Sequence, residues 1–350
     1  MRVWLISGGS LGHVLPAISF FYGLKELGAR PILALEDKSV FRKVIERLNL
    51  NNDVYFFPSV PSPKRDFIGA IRVGLKEVGD RLKDMVDRND RLVFFGSGLS
   101  LPFYWIALRR SLVSVVHEQN VAMGYWSAFL SATANLVFAG FASDKFPFYA
   151  KRKCIVCGNL VADFISGLDP AIGFQRRERF KILVLGGTKG ARALNYALPQ
   201  ILSDVKDEIE VIHICGEDEV SEVITRYNLL GFDRVQVVSW VFPVFTLMKQ
   251  ADLVVSRAGA MTLTEMALSA APGVVVPYPY ARGHQYENAR FFADRADLPW
   301  VDQRRPDWQE RLKSIILTLV GDRIKRMTLG HALRGVLVCG EGRPLDLLLS

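Results

Sequence analysis

The chain has four cysteines in 350 residues, too few for a disulfide scaffold. Cys154 and Cys157 form a lone C-x-x-C with no second pair to complete a zinc site. In a strand-like run, residues three apart point to opposite faces and chelate poorly, so structural cysteines in a reducing compartment are expected. A secretory leader is missing too. Met1 and Arg2 run straight into the strand-like Val3-Trp4-Leu5-Ile6, without an apolar h-region and cleavage site. Apolar runs fit to span a membrane are absent as well. The uncharged stretches 92–108 and 119–143 are broken by Gly96, Gly98 and Pro102 and by Gln119, Asn120 and Asn135, whereas a span wants about 20 predominantly apolar residues. Both are expected to be buried α/β segments. No low-complexity run appears. The dinucleotide fingerprint G-x-G-x-x-G is missing from the glycine-rich turns, which removes the usual reason to infer NAD.

What is present is an α/β plan that occurs twice. Half of the residues are hydrophobic, and the length allows two or three domains, each able to bury a core. Val3-Trp4-Leu5-Ile6 reads as a strand, residues 7–13 as a turn with Gly8, Gly9 and Gly12, and 15–27 as a helix ended by Gly28 before a strand at 31–35. Residues 180–185 begin the plan again, with a turn through Gly186, Gly187, Thr188, Lys189, Gly190 and Ala191 and a helix at 192–202. Both turns share G-G-[ST]-x-G-[HA], 178 residues apart. Short apolar strands alternate with helical segments through both halves, as in doubly wound parallel sheets. Ligands of such sheets sit outside the carboxyl ends of the strands, where both turns would lie. The predicted domains are 1–162 and 180–330, joined by a linker at 163–179 that holds Gly167, Pro170 and Gly173, with a helical tail at 331–350.

Three places carry polar or surface chemistry. Residues 253–255 read as a buried strand, Ala258-Gly259-Ala260 as a tight turn, 261–271 as a helix and 273–277 as the next strand. A helix start there aims unpaired N–H groups and a positive dipole end at whatever lies above the strand ends, which suits phosphate. Glu265, one turn in, would accept from ribose hydroxyls. The competing reading is that Thr262-x-x-Glu265 is a capping box and nothing more. A strand at 112–116 is expected to end at His117-Glu118-Gln119-Asn120, four hydrogen-bonding side chains just beyond a buried strand. A lone histidine there would be structural; the cluster points to a site. Finally, Phe67, Ile68, Ile71 and Leu75 recur at helical spacing beside Arg65, Arg72 and Lys76, and residues 103–110 join aromatics to Arg109 and Arg110. Such elements suit either an anionic lipid surface or an ordinary core-facing helix. Through Ile165 there are 21 Lys/Arg against 14 Asp/Glu, a net of +7, and beyond it 23 against 22, a net of +1. The excess on one half raises the membrane-surface reading, and no recognisable nucleic-acid-binding module accompanies it.

Gly8-Gly9-Ser10-x-Gly12-His13, His117-Glu118-Gln119-Asn120, Gly158-Asn159, Gly186-Gly187-Thr188-x-Gly190-Ala191, Arg257-x-Gly259-Ala260-x-Thr262-x-x-Glu265 and His284-Gln285-x-x-Asn288 occur in this order. The ordered set resembles the bacterial MurG family. The resemblance implies an inverting glycosyltransferase of peptidoglycan synthesis, moving GlcNAc from UDP-GlcNAc to undecaprenyl-pyrophosphoryl-MurNAc-pentapeptide (lipid I to lipid II). The implied fold is GT-B: two Rossmann-like parallel-sheet α/β domains facing a cleft, with the C-terminal tail returning to the first. For the donor it implies Glu265 on the ribose, Met261, Thr262 and the turn Thr188-Lys189-Gly190 on the diphosphate, the Val241 backbone at the uracil edge, and His284 and Gln285 on GlcNAc hydroxyls. For the acceptor it implies Ser10, Gly12 and His13 near the pyrophosphate, with Glu118 and Asn120 alongside. His13, with an unperturbed pKa of about 6.5, is the expected base and Glu118 the alternative. No Asp-x-Asp stands near these turns, so no metal ligand is expected, and no cofactor, since UDP-GlcNAc is a substrate. The expected location is the cytoplasmic side of an anionic membrane surface, held peripherally. There are departures, most on the acceptor side. Leu11 stands for a glycine, Ser127 for an asparagine, and Gly96-Ser97-Gly98-Leu99-Ser100-Leu101-Pro102 for Gly-Gly-Tyr-x-Ser-Gly-Pro. Ala162 replaces an arginine, a charge that Lys189 is expected to restore. Two rivals share these features: a UDP-GlcNAc 2-epimerase, and a non-catalytic UDP-sugar-binding partner subunit.

Overall fold

Consecutive apolar residues are buried on both faces only inside a parallel sheet covered by helices, and both halves of the chain fold that way. The computed structural model describes every residue except 62–68, 70–71, 162–167, 169, 171, 176–178, 187–190, 281–282, 337–343 and 350. It divides into two units, Met1–Ala162 with Val338–Ser350, and Asp163–Leu337.

In the first unit, β1 (Arg2–Ser7), β2 (Arg30–Glu36), β3 (Val54–Phe57), β4 (Arg91–Phe94), β5 (Ser114–Glu118), β6 (Leu136–Ala139) and β7 (Cys154–Val156) form a sheet of order β3-β2-β1-β4-β5-β6-β7. Every pairing is parallel. The described helices are α1 (Leu11–Glu26), α2 (Ser39–Arg47), α3 (Gly79–Met85), α4 (Ser100–Arg110), α5 (Tyr125–Ser131) and α6 (Phe148–Lys151). α1 buries Val14, Ala17, Ile18, Phe20, Phe21 and Leu24. The strand order reverses between β1 and β4, so the first glycine turn opens at the switch point, where α/β ligands sit.

The second unit repeats the arrangement with five parallel strands: β8 (Phe180–Leu185), β9 (Ile209–Ile214), β10 (Val235–Val238), β11 (Leu253–Ser256) and β12 (Gly273–Val275), in the order β10-β9-β8-β11-β12. Its described helices are α7 (Arg192–Leu202), α8 (Val220–Leu229), α9 (Phe245–Gln250), α10 (Ala260–Ser269), α11 (His284–Ala296), α12 (Trp308–Gly321) and α13 (Arg323–Val336). The reversal falls between β8 and β11, beside Gly186 and the start of α10. β8 therefore holds the place of β1.

Several boundaries differ from the sequence reading, each for a physical reason. α1 begins at Leu11 rather than 15, behind an extended Ser10 with φ of −144°. Leucine is a far better helix former than the glycine usual there, and His13 thereby joins the first turn of the helix. β5 starts at Ser114 rather than 112, because Ser111 (φ 53°) closes α4 and Leu112 N–H donates to the Ala107 carbonyl. His117 and Glu118 thus lie within the sheet, not beyond it. The described part of the expected linker belongs to the second unit: Gln175 N–H donates to Glu210 at 2.8 Å, and Gln236 Nε2 donates to the Gly173 carbonyl at 3.0 Å. The tail does not begin at 331, since α13 runs on to Val336 and packs on α10 and α11. The tail joins the first unit from Val338 on, with α14 (Pro344–Leu347) placing Leu345 against Gly23 of α1 and Arg91 donating to the Leu348 carbonyl at 2.8 Å. Arg65, Phe67, Ile68 and Ile71, half of the aromatic–basic surface, lie outside the described residues. Cys154, Cys157 and Cys215 are unpaired, and burial pushes the Cys157 thiol up to about 12.

Candidate active site

The first cluster forms where α1 leaves β1. His13 Nδ1 lies 2.6 Å from the Phe95 carbonyl oxygen just past β4. That contact makes Nδ1 the protonated nitrogen and leaves the Nε2 lone pair available. The Gln119 amide abuts the same Nδ1. Gly96, at φ 75°, lets the backbone pass the imidazole: a Cβ there would stand 3.0 Å from Ser127 Oγ and 3.6 Å from the ring. Burial lowers the His13 pKa, while Glu118, the Phe95 carbonyl and Glu36 act in the opposite sense. The result is an imidazole kept neutral at physiological pH.

Glu118 is occupied otherwise. Its Oε1 accepts from Asn120 N–H at 2.9 Å and Asn120 Nδ2 at 2.8 Å, and its Oε2 accepts from Gly124 N–H at 2.8 Å. It closes the 119–124 turn and so carries Asn120 and Gln119 into place. His117 sits fully buried against the rings of Phe20 and Phe95, and burial pushes it down to about 4. It is a neutral core histidine. Ser10 and Gly12 flank His13, with Ser10 N–H donating to the Gly8 carbonyl at 2.9 Å and His13 N–H to the Ser10 carbonyl at 3.0 Å.

The second cluster surrounds the start of α10. Gly259 is the N-cap and Ala260 the first helical residue, so Thr262 is third in the helix and cannot be the cap of a capping box. Glu265 is 8% exposed, and among the described residues its carboxylate takes no hydrogen bond. Burial alone pushes it up to about 8. A buried acid with no partner is costly to the fold, which makes Glu265 a candidate for contact with a ligand. Met261 is buried beside it and Thr262 half-buried. Arg257 donates to the Val276 carbonyl at 3.0 Å and Gln303 Oε1 at 2.7 Å, bracing the end of β12. Asn288 Nδ2 donates to the Ala258 carbonyl at 3.1 Å, tying α11 to the turn after β11. Gln285 Oε1 accepts from Tyr278 N–H at 2.8 Å, and His284 opens α11 behind the left-handed Gly283. Val241 follows β10, buried between Trp240 and Phe242, whose rings stack at 6.3 Å. Thr188, Lys189 and Gly190 lie outside the described residues, as does Ala162.

Sequence reasoning passed over the support of each cluster. Asn195 Nδ2 donates to the Cys215 carbonyl and Glu219, while Asn195 Oδ1 meets His213, itself bonded to Tyr227; this buried chain backs the Gly186 turn. Glu36 and Lys38, at the end of β2, hold the first turn. Among the described residues, no group of three or more His, Cys, Asp or Glu could hold a metal ion, and no helix is long and apolar enough to cross a membrane.

Residues 3–139 match the Glycosyltransferase family 28 N-terminal domain, and residues 181–332 match the Glycosyltransferase family 28 C-terminal domain. The chain is 30% identical over 343 residues to the UDP-N-acetylglucosamine–N-acetylmuramyl-(pentapeptide) pyrophosphoryl-undecaprenol N-acetylglucosamine transferase of Halorhodospira halophila, covering 95% of this chain and 93% of the relative. Its backbone matches the crystal structure of Acinetobacter baumannii MurG with a TM-score of 0.69 at 23% identity, over 99% of each chain. It also matches a putative UDP-N-acetylglucosamine 2-epimerase from Listeria monocytogenes with a TM-score of 0.71 at 12% identity, over 100% of this chain and 94% of the other. The fold is common to transferase and epimerase; the sequence sides with the transferase.

Proposed function

The chain belongs to glycosyltransferase family 28 and, within it, to the MurG family of N-acetylglucosaminyltransferases, and from this we infer that it transfers GlcNAc from UDP-GlcNAc to undecaprenyl-pyrophosphoryl-MurNAc-pentapeptide, converting lipid I to lipid II. One observation carries the reading: identity of 30% to a transferase named for this reaction, over 95% of the chain. The residue roles follow from the chemistry available. His13 Nε2 takes the proton of the acceptor hydroxyl as the anomeric carbon changes partners; with both Glu118 oxygens engaged by the 120–124 backbone, His13 is the better base. Met261 and Thr262 offer N–H groups from the first turn of α10 to the departing diphosphate, and one well-placed donor of this kind is worth roughly 3–4 kcal/mol of barrier. Glu265 accepts from the ribose hydroxyls, His284 and Gln285 meet GlcNAc, and the Val241 backbone meets uracil. Thr188-Lys189-Gly190 would complete the diphosphate contacts. The scheme calls for no resident cofactor or metal.

The acceptor's lipid requires a membrane, and a face of the first unit suits one. α4 exposes Trp105 and Leu108, with Arg109 stacked over Trp105 at 5.2 Å. Tyr104 meets Phe129 of α5 at 5.4 Å, and Tyr149 of α6 donates to the Ala128 carbonyl at 3.1 Å, so the three helices share one surface. Tyr125, Phe129 and Phe148 are exposed on it, with Arg152 over the Phe148 ring at 5.5 Å. Aromatic anchors rimmed by cations are the composition of a peripheral contact with anionic lipid, here on the cytoplasmic side. Incubation with labelled UDP-GlcNAc and a lipid I analogue, with and without anionic vesicles, is the test. Labelled lipid and released UDP are expected, more of both with vesicles; UDP-GlcNAc epimerised in buffer, or UDP bound without turnover, would overturn the assignment.

A further inference from the structure

In dinucleotide-binding domains the acid at the end of the second strand reaches out to a ribose. Here the corresponding acid is turned onto its own glycine turn. Glu36 is 5% exposed, and its Oε2 accepts from Gly9 N–H at 3.0 Å and from Ser59 Oγ at 3.3 Å. The Lys38 ammonium pairs with the same carboxylate and donates to the Gly9 carbonyl at 3.0 Å. Both polar groups of Gly9 are thus held by one pair of opposite charges. Gly8 packs flush on the Glu36 carboxylate, where a Cβ would collide with it. Gly9 leads through the Ser10 N-cap directly into the helical turn that carries His13, so the pair sets the height of that imidazole above the sheet. The charged and titratable groups facing His13 are few: Glu118 and His117 from β5, and Glu36 and Lys38 from the end of β2, with the Phe95 carbonyl beyond β4.

We propose that Glu36 and Lys38 are positioning residues for the acceptor-side base, fixing both where His13 stands and which charges it faces. The proposal rests on the reading of His13 as the base, and its test separates the two. The pH profile of kcat/KM and the NMR titration of His13, assigned by the signal lost in His13→Gln, are recorded for the wild type, Glu36→Gln and Lys38→Met. Glu36→Gln keeps an oxygen for Gly9 N–H but removes the negative charge that favours imidazolium. Both the His13 titration and the acid limb of the rate then move to lower pH. Lys38→Met removes a positive charge and moves both to higher pH. If the two variants scale kcat/KM by a constant factor at every pH and leave the His13 titration where it was, the pair is only a brace and the proposal is overturned. If the titration moves in the two opposite senses while the acid limb stays put, the pair does tune His13, and it is the base assignment that fails.

Discussion

Both units place a glycine turn and a helix start at the switch point of a parallel sheet, but they finish it differently. Around the first turn both carboxylates are engaged: Glu36 holds Gly9 and Glu118 holds Asn120 and Gly124, while Gln119 abuts His13. At the start of α10, Glu265 lies buried with no hydrogen-bond partner among the described residues. The first arrangement is braced by its own hydrogen bonds, which would suit a base that must stand within an ångström or so of one position. The second leaves a cost in the fold that a ligand with paired hydroxyls removes on binding. Chemistry on one side and affinity on the other should therefore respond to different mutations.

The largest effect is expected at His13. His13→Gln should lower kcat by about 10²- to 10⁴-fold, the usual contribution of a general base, with UDP affinity by calorimetry unchanged. A comparable loss in UDP affinity would mean that the two clusters are not separable in function. Next comes Glu265→Gln, expected to raise the KM for UDP-GlcNAc by roughly ten- to a hundredfold with a smaller effect on kcat, as a charge-assisted hydrogen bond of about 1.5–3 kcal/mol is lost. This variant also carries a pH signature. The folded-state pKa of about 8 lies above the ordinary carboxyl value of 4.5, so between these limits the folded protein holds a proton that the unfolded chain has released. Stability from this group therefore falls as pH climbs through that window, and Glu265→Gln should raise Tm at about pH 9 but not at about pH 4. By the same linkage UDP should bind the wild type more tightly above pH 8 than at neutrality, and the dependence should vanish in the variant.

A smaller effect isolates the acceptor-side geometry. Gly96 and Gly28 share a φ of 75°, but a Cβ at Gly96 meets Ser127 and the His13 ring whereas at Gly28 it meets nothing within 4 Å. Either alanine variant should lose about 1–2 kcal/mol in urea unfolding, the cost of a left-handed L-residue. Only Gly96→Ala should also lower kcat, by about tenfold, through displacement of the imidazole. Equal kcat values in the two variants would show that the ring tolerates the crowding.

The strands that flank the glycine turns were legible because parallel-sheet strands are continuous apolar runs and each turn announces itself with glycines; the switch points needed the strand order. The same continuity hid the register of β5. A strand buried on both faces has no alternation to mark where it ends, so His117 and Glu118 read as lying beyond it. Thr262 and Glu265 matched a capping box because the pattern is short; Gly259 caps α10 instead, a choice the pattern cannot exclude. The support of His13 was out of reach for another reason. Gln119 lies 106 residues from His13, and Glu36 lies 27 residues from Gly9. Such contacts exist only once β1 is paired between β2 and β4. Residue types at a site leave a trace in the chain, but what holds them depends on topology.

The smallest expected effect concerns the aromatic surface of the first unit, where the charge of residues 1–165 is +7 against +1 for the rest. Phe148 is 75% exposed beside Arg152, and Tyr280 of the second unit is 70% exposed. A solvent-facing aromatic does not by itself make a membrane contact; the proposed contact rests on the neighbouring cations and on the face of α4, α5 and α6. Phe148→Ser should therefore weaken partitioning onto anionic vesicles by about fivefold, near 1 kcal/mol for one partly inserted ring, while Tyr280→Ser leaves it unchanged. Turnover of a soluble acceptor analogue should be equal in Phe148→Ser and the wild type, since the Phe148 ring stands in solvent beside Arg152. Raising salt should erase most of the wild-type binding, because the cations that hold the face to the lipid are screened within about 10 Å at 0.1 M ionic strength. Equal partitioning of the two variants would transfer the membrane contact away from α6 and leave the charge asymmetry between the halves without this explanation.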